Sequence, residues 1–240
     1  MDKLTSPSCC DILHSINTSS TASEIFSKIE IHARELGFDY CAYVFHHVIP
    51  LTKPRIVPET NYPLAWRERY KRNGYLAIDP TIARARVSQL PFTWSESLFD
   101  RTRPFWEEAR GHGLAIGWAK SIFDNCGSRG MLTLARPKEV LEPKELETKE
   151  LKMKLLSYCA HMALSRVYHR EMMLSIDKLS IREVEVLKWH ADGKTAEEIG
   201  MILNISTDTV KFHTKNAVTK LGTSNKTAAV VRAAIMGLLA

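Results

Sequence analysis

Lys211 and Lys215 stand four residues apart in the run Asp208-Thr-Val-Lys-Phe-His-Thr-Lys215, while Val210, Ala217 and Leu221 recur at helical spacing. Residues four apart share one face of a helix. The two lysines, with Asp208 and Thr214, therefore point away from the apolar stripe. A face carrying ammonium groups and a hydroxyl suits the phosphates of DNA, and lysine can also donate to guanine edges in the major groove. Thr207, Thr209, Lys220 and Lys226 flank that face as phosphate contacts, and Thr195 opens the preceding helix. Periodicity alone fits a four-helix bundle with a solvated charged face equally well.

A second chemistry-bearing region spans residues 61–118. It holds Tyr62, Trp66, Tyr70, Tyr75, Phe92, Trp94, Phe99, Phe105, Trp106 and Trp118, including four of the five tryptophans. An aromatic core is the bland reading. Asp79 precedes Pro80-Thr-Ile-Ala-Arg84, a sequence in which a carboxylate caps a helix start. The five cysteines form no CxxC pair, and no histidine pair follows at zinc spacing. They read as free thiols, and no metal or cofactor site is expected. Hydrolase signatures are absent as well: there is no GxSxG and no HxH, and His46-His47 has no acidic neighbour in sequence.

These residues need elements to hold them. Ser180-Ile-Arg-Glu183 is a capping box that opens a helix ending at Gly193, and Thr195-Ala-Glu-Glu198 opens a shorter one. Asn204-Ile-Ser206 makes the turn into the helix of Lys211, and 227–239 closes an all-α, four-helix module. Two helices joined by a tight turn form the arrangement that places the second in the major groove.

Upstream, Thr21-Ala-Ser-Glu24 caps a helix that runs to Gly37, and residues 39–48 and 53–57 read as strands. Helices follow at 61–75 and 102–111. Gly117–Phe123 and Gly130–Ala135 make a hairpin around Asp124-Asn-Cys-Gly-Ser128, and 142–169 is a long amphipathic helix. Strands between helices make an α/β (α-β-α) sandwich. The expected organisation is a first domain over 1–170, a linker over 171–178 and a second domain over 179–240.

With 240 residues the chain can form two cored domains. No apolar run is long enough for a membrane helix, and the N-terminus lacks a signal-type apolar stretch. A cytoplasmic protein without a membrane partner is expected. The net charge of +6 permits an anionic partner, yet from Lys178 onward nine Lys/Arg face six Asp/Glu. Any basic DNA-binding surface must therefore be local.

The stretch from Leu179 to the C-terminus closely resembles the DNA-binding domain of LuxR-type regulators. Glu183, Leu187, residues 191–195, Glu198-Ile199, Val210-Lys-Phe-His213 and Asn225-Lys226 carry the match. The resemblance implies that Lys211, Phe212 and Lys215 read bases. Upstream, Asn61-Tyr-Pro-Leu-Ala-Trp66-Arg-Glu-Arg-Tyr70, Tyr75-Leu-Ala-Ile-Asp79-Pro80, Trp94 and Gly117 resemble the autoinducer-binding domain of the quorum-sensing members, a GAF/PAS-like sandwich. A phosphorylated receiver is set aside, because no acidic doublet closes an apolar strand.

That resemblance implies an N-acyl-homoserine lactone as regulatory ligand, and the chemistry fits. The Trp66 indole only donates and suits the ring carbonyl, while the Asp79 carboxylate only accepts and suits the amide N–H. Tyr62 and Thr133 donate to the acyl carbonyl. Trp94 packs on the ring, and Phe105, Trp106 and Ala109 enclose that end. Tyr70, Val87, Leu114 and the sheet's inner face meet the tail. The implied protein is a homodimeric transcription regulator of quorum sensing on a palindromic operator, with RNA polymerase a further partner. The alternatives are a regulator of the same build that needs no ligand, is inhibited by it, or senses another small molecule.

Overall fold

The computed structural model describes residues 9–17, 19–52, 55–124, 127–174 and 176–239. Lys53 and Pro54 of the expected second strand, Asn125 and Cys126 of the expected turn, and the side chains of Cys9 and Cys10 lie outside them. The chain divides into two compact units that change over between Val167 and Tyr168.

In the first unit, α1 (Cys9–Asn17) and α2 (Ala22–Glu35) precede β1 (Tyr40–His46) and β2 (Ile56–Thr60). The short elements α3 (Leu64–Arg72), α4 (Pro80–Val87), β3 (Phe92–Thr93), α5 (Glu96–Phe99) and α6 (Arg103–Gly111) follow. The hairpin of β4 (Ile116–Phe123) and β5 (Arg129–Arg136) leads into α7 (Pro143–Leu174). Thr21 caps α2 by accepting from the Glu24 N–H at 3.3 Å, while the Glu24 carboxylate reaches back to Ser20 N–H at 3.3 Å.

The sheet is antiparallel, in the order β2-β1-β5-β4-β3. Register puts Ala42 opposite both Thr60 and Thr133, and Val44 opposite Pro58 and Met131. Side chains alternate between faces along a strand, so Cys41, Tyr43, Phe45, Trp118, Leu132 and Leu134 project to the other side, each fully buried. There α2 packs on β1, and His161 of α7 joins Tyr43 Oη through Nδ1 at 2.8 Å. On the Ala42 face, α4 packs on β4 and the Trp66 and Phe105 rings cluster with Ala135. The expected α-β-α sandwich is the observed architecture.

Three elements differ from expectation. The second strand begins at Ile56 and runs through Pro58, which an edge strand accommodates because one side of its backbone ladder is unpaired. The helix after Pro63 ends at Arg72; Gly74 turns left-handed at φ +64 and a 3₁₀ turn over Tyr75–Ala77 takes up the chain. The long helix continues to Leu174, through the first residues read as linker.

The second unit holds α8 (Ile181–Ala191), α9 (Ala196–Leu203), α10 (Thr207–Lys220) and α11 (Lys226–Ile235). Both capping boxes form with both reciprocal bonds. Asn204 ends α9 at φ +53. The turn to α10 is tight enough that a Cβ on Gly200 would lie 2.8 Å from the Ile205 carbonyl oxygen. Leu187, Ala217, Leu221, Ala229 and Ala233 make one core, and Val186, Ile199 and Val210 another. Among the described residues, no helix is long and apolar enough to cross a membrane.

Candidate functional site: a sensor cavity and a helix-turn-helix face

The Ala42 face of the sheet is not filled. Between it and α3, α4 and α6 lies a cavity of about 650 Å³. Small side chains at Ala42 and Ala109 leave that space, and Trp66, Phe99, Phe105 and Trp106 wall one end. All nine residues expected at the ligand site border it: Tyr62, Trp66, Tyr70, Asp79, Trp94, Phe105, Trp106, Ala109 and Thr133. Leu114 borders it too. Val87, expected along the tail, is 84% exposed at the end of α4 and stands outside it.

Asp79 is the most heavily engaged polar group. It caps α4, with Oδ1 accepting from Thr81 N at 2.8 Å and Thr81 Oγ1 at 2.6 Å. The Tyr70 hydroxyl donates to Oδ2 at 2.9 Å. A carboxylate offers about four acceptor sites, and Asp79 draws on the Ile82 amide as well as the Thr81 and Tyr70 donors. Burial pushes the Asp79 carboxyl above its ordinary value, against the pull of the Thr81 and Tyr70 donors. Burial likewise raises the Tyr62 and Tyr70 phenols, with the nearby Asp79 charge adding to it, so both keep their protons as donors.

Two indoles at the cavity carry buried N–H groups with no hydrogen-bond partner, Trp94 Nε1 and Trp106 Nε1. Orphaned buried donors are uncommon because each costs a desolvation penalty, and here both sit at one end of the hollow. Trp94 lies flat over Gly117: a Cβ at that position would overlap its ring. Thr81, Met131 and the β1–β2 residues Ala42, Val44, Ile56, Pro58 and Thr60 also line the space; the sheet's inner face was expected there, but not which residues form it. Alternation along β1 was the available signal, but it does not say which face is hollow.

On the helix-turn-helix, Ser206 caps α10 by accepting from Thr209 N at 3.1 Å. Lys211 and Lys215 are exposed, as expected, with only a 3.5 Å contact from Lys211 to Asp208. Phe212 is 60% exposed beside them. Thr195 caps α9, Thr207 and Lys226 begin α10 and α11, and Thr195 and Lys226 are exposed.

Three members of the expected set are engaged within the domain, the first being Thr209, whose hydroxyl lies 2.8 Å from Ser206 Oγ. The Thr214 hydroxyl donates to the Val210 carbonyl at 2.9 Å and lies 3.1 Å from His190 Nε2 of α8. Lys220 donates to the buried Glu183 at 2.8 Å. Burial opposes the Glu183 charge, yet Lys220 and the Ser180 amide outweigh it and hold the carboxyl below its usual range. Lys220 therefore neutralises an acid of the fold, and Thr214 faces α8 rather than the open side. Cys41 and Cys159 are buried; desolvation pushes the Cys41 thiol up to about 12, so it is unreactive at neutral pH.

Comparison with known proteins bears on both sites. Residues 21–164 match the autoinducer binding domain, and residues 177–233 match the luxR family of bacterial regulatory proteins. The transcriptional activator protein AnoR of Acinetobacter nosocomialis is 37% identical over 95% of this chain and 98% of its own. The crystal structure of Escherichia coli SdiA superposes with a TM-score of 0.86 at 36% identity, covering 97% and 98% of the two chains. SdiA in complex with octanoyl-rac-glycerol superposes at 0.83, with 36% identity over 96% and 95%.

Proposed function

The chain belongs to the LuxR family of bacterial regulatory proteins, and we propose that it is a quorum-sensing transcription regulator governed by an N-acyl-homoserine lactone held in the sensor cavity. The observation that carries this reading is that Tyr62, Trp66, Tyr70, Asp79, Trp94, Phe105, Trp106, Ala109 and Thr133 all border one hollow, with the Asp79 carboxylate as its acceptor. Trp66 donates to the ring carbonyl, Asp79 takes the amide N–H, and Tyr62 and Thr133 donate to the acyl carbonyl. Trp94, Phe105, Trp106 and Ala109 enclose the ring. The tail lies on the sheet, against Val44 and Met131, with Tyr70 at its start. Each such bond is worth about 0.5–1.5 kcal/mol net, and specificity comes from the set.

In the second domain, Lys211, Phe212 and Lys215 read the major groove, with Thr195, Thr207, Thr209 and Lys226 on phosphates. One such helix spans only half a site, so two copies act on a palindromic operator, as a cytoplasmic homodimer that works with RNA polymerase. The domains extend over 1–170 and 179–240.

A second occupant is favoured by a specific likeness, the SdiA complex with octanoyl-rac-glycerol. A glycerol hydroxyl could donate to Asp79 Oδ2 as an amide does, making an acyl glycerol the rival ligand.

Two full-length variants test the assignment together. Asp79→Asn should lose lactone-dependent reporter output, and Lys211→Ala should retain bound lactone, measured by solvent extraction and mass spectrometry, while losing output. Lactone-dependent output surviving in Asp79→Asn would sink the ligand assignment; undiminished output in Lys211→Ala would sink the recognition face.

A further inference from the structure

Among residues that do not line the cavity, the Glu108 carboxylate of α6 gathers three donors from α3 and the turn at Tyr75. Arg69 Nε and one of its terminal nitrogens reach Glu108 at 2.5 Å and 2.6 Å, and the Tyr75 hydroxyl donates at 2.6 Å. The Tyr75 oxygen is held in turn by Asn73 Nδ2 at 2.9 Å. The Glu108 backbone carbonyl also binds His112 Nδ1 at 2.8 Å.

The geometry around Trp66 gives this cluster a purpose. Its indole touches four rings, Tyr70, Tyr75, Phe105 and His112, at centroid distances of 5.9, 5.8, 5.7 and 5.3 Å. Glu108 binds two of these four, Tyr75 by its side chain and His112 by its backbone. It also binds Arg69, which lies one turn after Trp66 on α3. Pro63 starts α3 with no side-chain cap hydrogen bond. An exposed ion pair contributes little by itself. This one is bidentate and shares its carboxylate with a neighbour of the indole.

We propose that Glu108 is a positioning residue for Trp66: it locks α3 and the Tyr75 turn to α6, and thereby fixes the direction of the indole N–H toward the head group. This inference rests on the lactone reading and adds to it a residue that does not touch the ligand. A group that only sustained the fold would change affinity for every occupant alike. One that aims a single donor changes affinity only for ligands carrying the matching acceptor.

The test compares N-octanoyl-homoserine lactone with the cyclopentylamide of the same tail, which lacks the ring carbonyl, by titration calorimetry on full-length protein. Wild type should prefer the lactone. Glu108→Ala should weaken the lactone roughly tenfold, the size of one hydrogen bond, and leave the cyclopentylamide unchanged. Tyr75→Phe, which spares the ion pair, should move the preference the same way by less. Exchanging the charges (Arg69→Glu with Glu108→Arg) should restore it. A preference that survives in Glu108→Ala and Tyr75→Phe overturns the inference, as does equal weakening for both compounds. Wild-type protein that binds neither compound, or both equally, overturns the lactone reading and this inference with it.

Discussion

The two faces of the sensor sheet are made by the same strands and behave oppositely. Behind β1 and β5, Cys41, Tyr43, Leu132 and Leu134 are fully buried against helices. In front, their immediate neighbours Ala42, Val44, Met131 and Thr133 border a hollow of about 650 Å³. The rear is closed by the long α7, the front by the short helices α3, α4 and α6 and the turns between them. The difference shows how one ladder can supply both a rigid support and a space for a guest. The rear face provides the close packing that the front, with its empty volume, does not.

The contrast can be broken most severely from behind. Leu134→Ala removes a fully buried side chain from the packed face and should cost about 2–5 kcal/mol, seen as a lower denaturant midpoint. A loss under about 1 kcal/mol would mean that the rear is as loose as the front. Gly130→Ala comes next. A Cβ there would overlap both His161 Nδ1 and Tyr43 Oη, so it should force those two apart and destabilise by about 1–3 kcal/mol. An unchanged stability would show that α7 is free to shift.

The smallest effect belongs to the front. The folded-state pKa of Asp79 is raised, so the folded form binds a proton more tightly than the unfolded chain. Without ligand, stability should therefore rise slightly as pH falls through that value. Stabilisation by an amide ligand requires the ionised carboxylate and should fade over the same interval. Melting curves with and without N-octanoyl-homoserine lactone should converge on acidification, and a gap that widened instead would remove Asp79 from the ligand contacts.

The recognition helix was legible because its signals are contiguous: cap, apolar stripe and exposed lysines fall within one element. Even so, spacing could not foresee that Thr214 turns to His190 or that Lys220 belongs to Glu183, since both partners lie on α8, one turn of sequence or more removed from the motif. The cavity was legible through the family resemblance, at Trp66, Asp79 and Tyr62; by residue type alone Asp79 reads as a helix cap and the aromatics as a core. Its strand lining was not, because the pairing of Ala42 with Thr133 is a long-range register that no local pattern encodes. Pro58 misplaced the second strand for a related reason: proline reads as a strand breaker unless the strand is known to lie at an edge. Val87 reads as apolar lining in a one-dimensional pattern, yet its position at the last turn of α4 sends it outward.

That edge has a consequence for solubility. A sheet with a hollow face is a structure at risk of recruiting strands from other molecules, because exposed N–H and C=O rows template further pairing. Here the β2 border has Pro58 at its centre, where one donor of the row is missing, and the opposite border, β3, is only two residues long. Neither margin offers an uninterrupted ladder to a stray chain. The sheet is thus blunt at both ends, and its edges give a stray strand little to pair with.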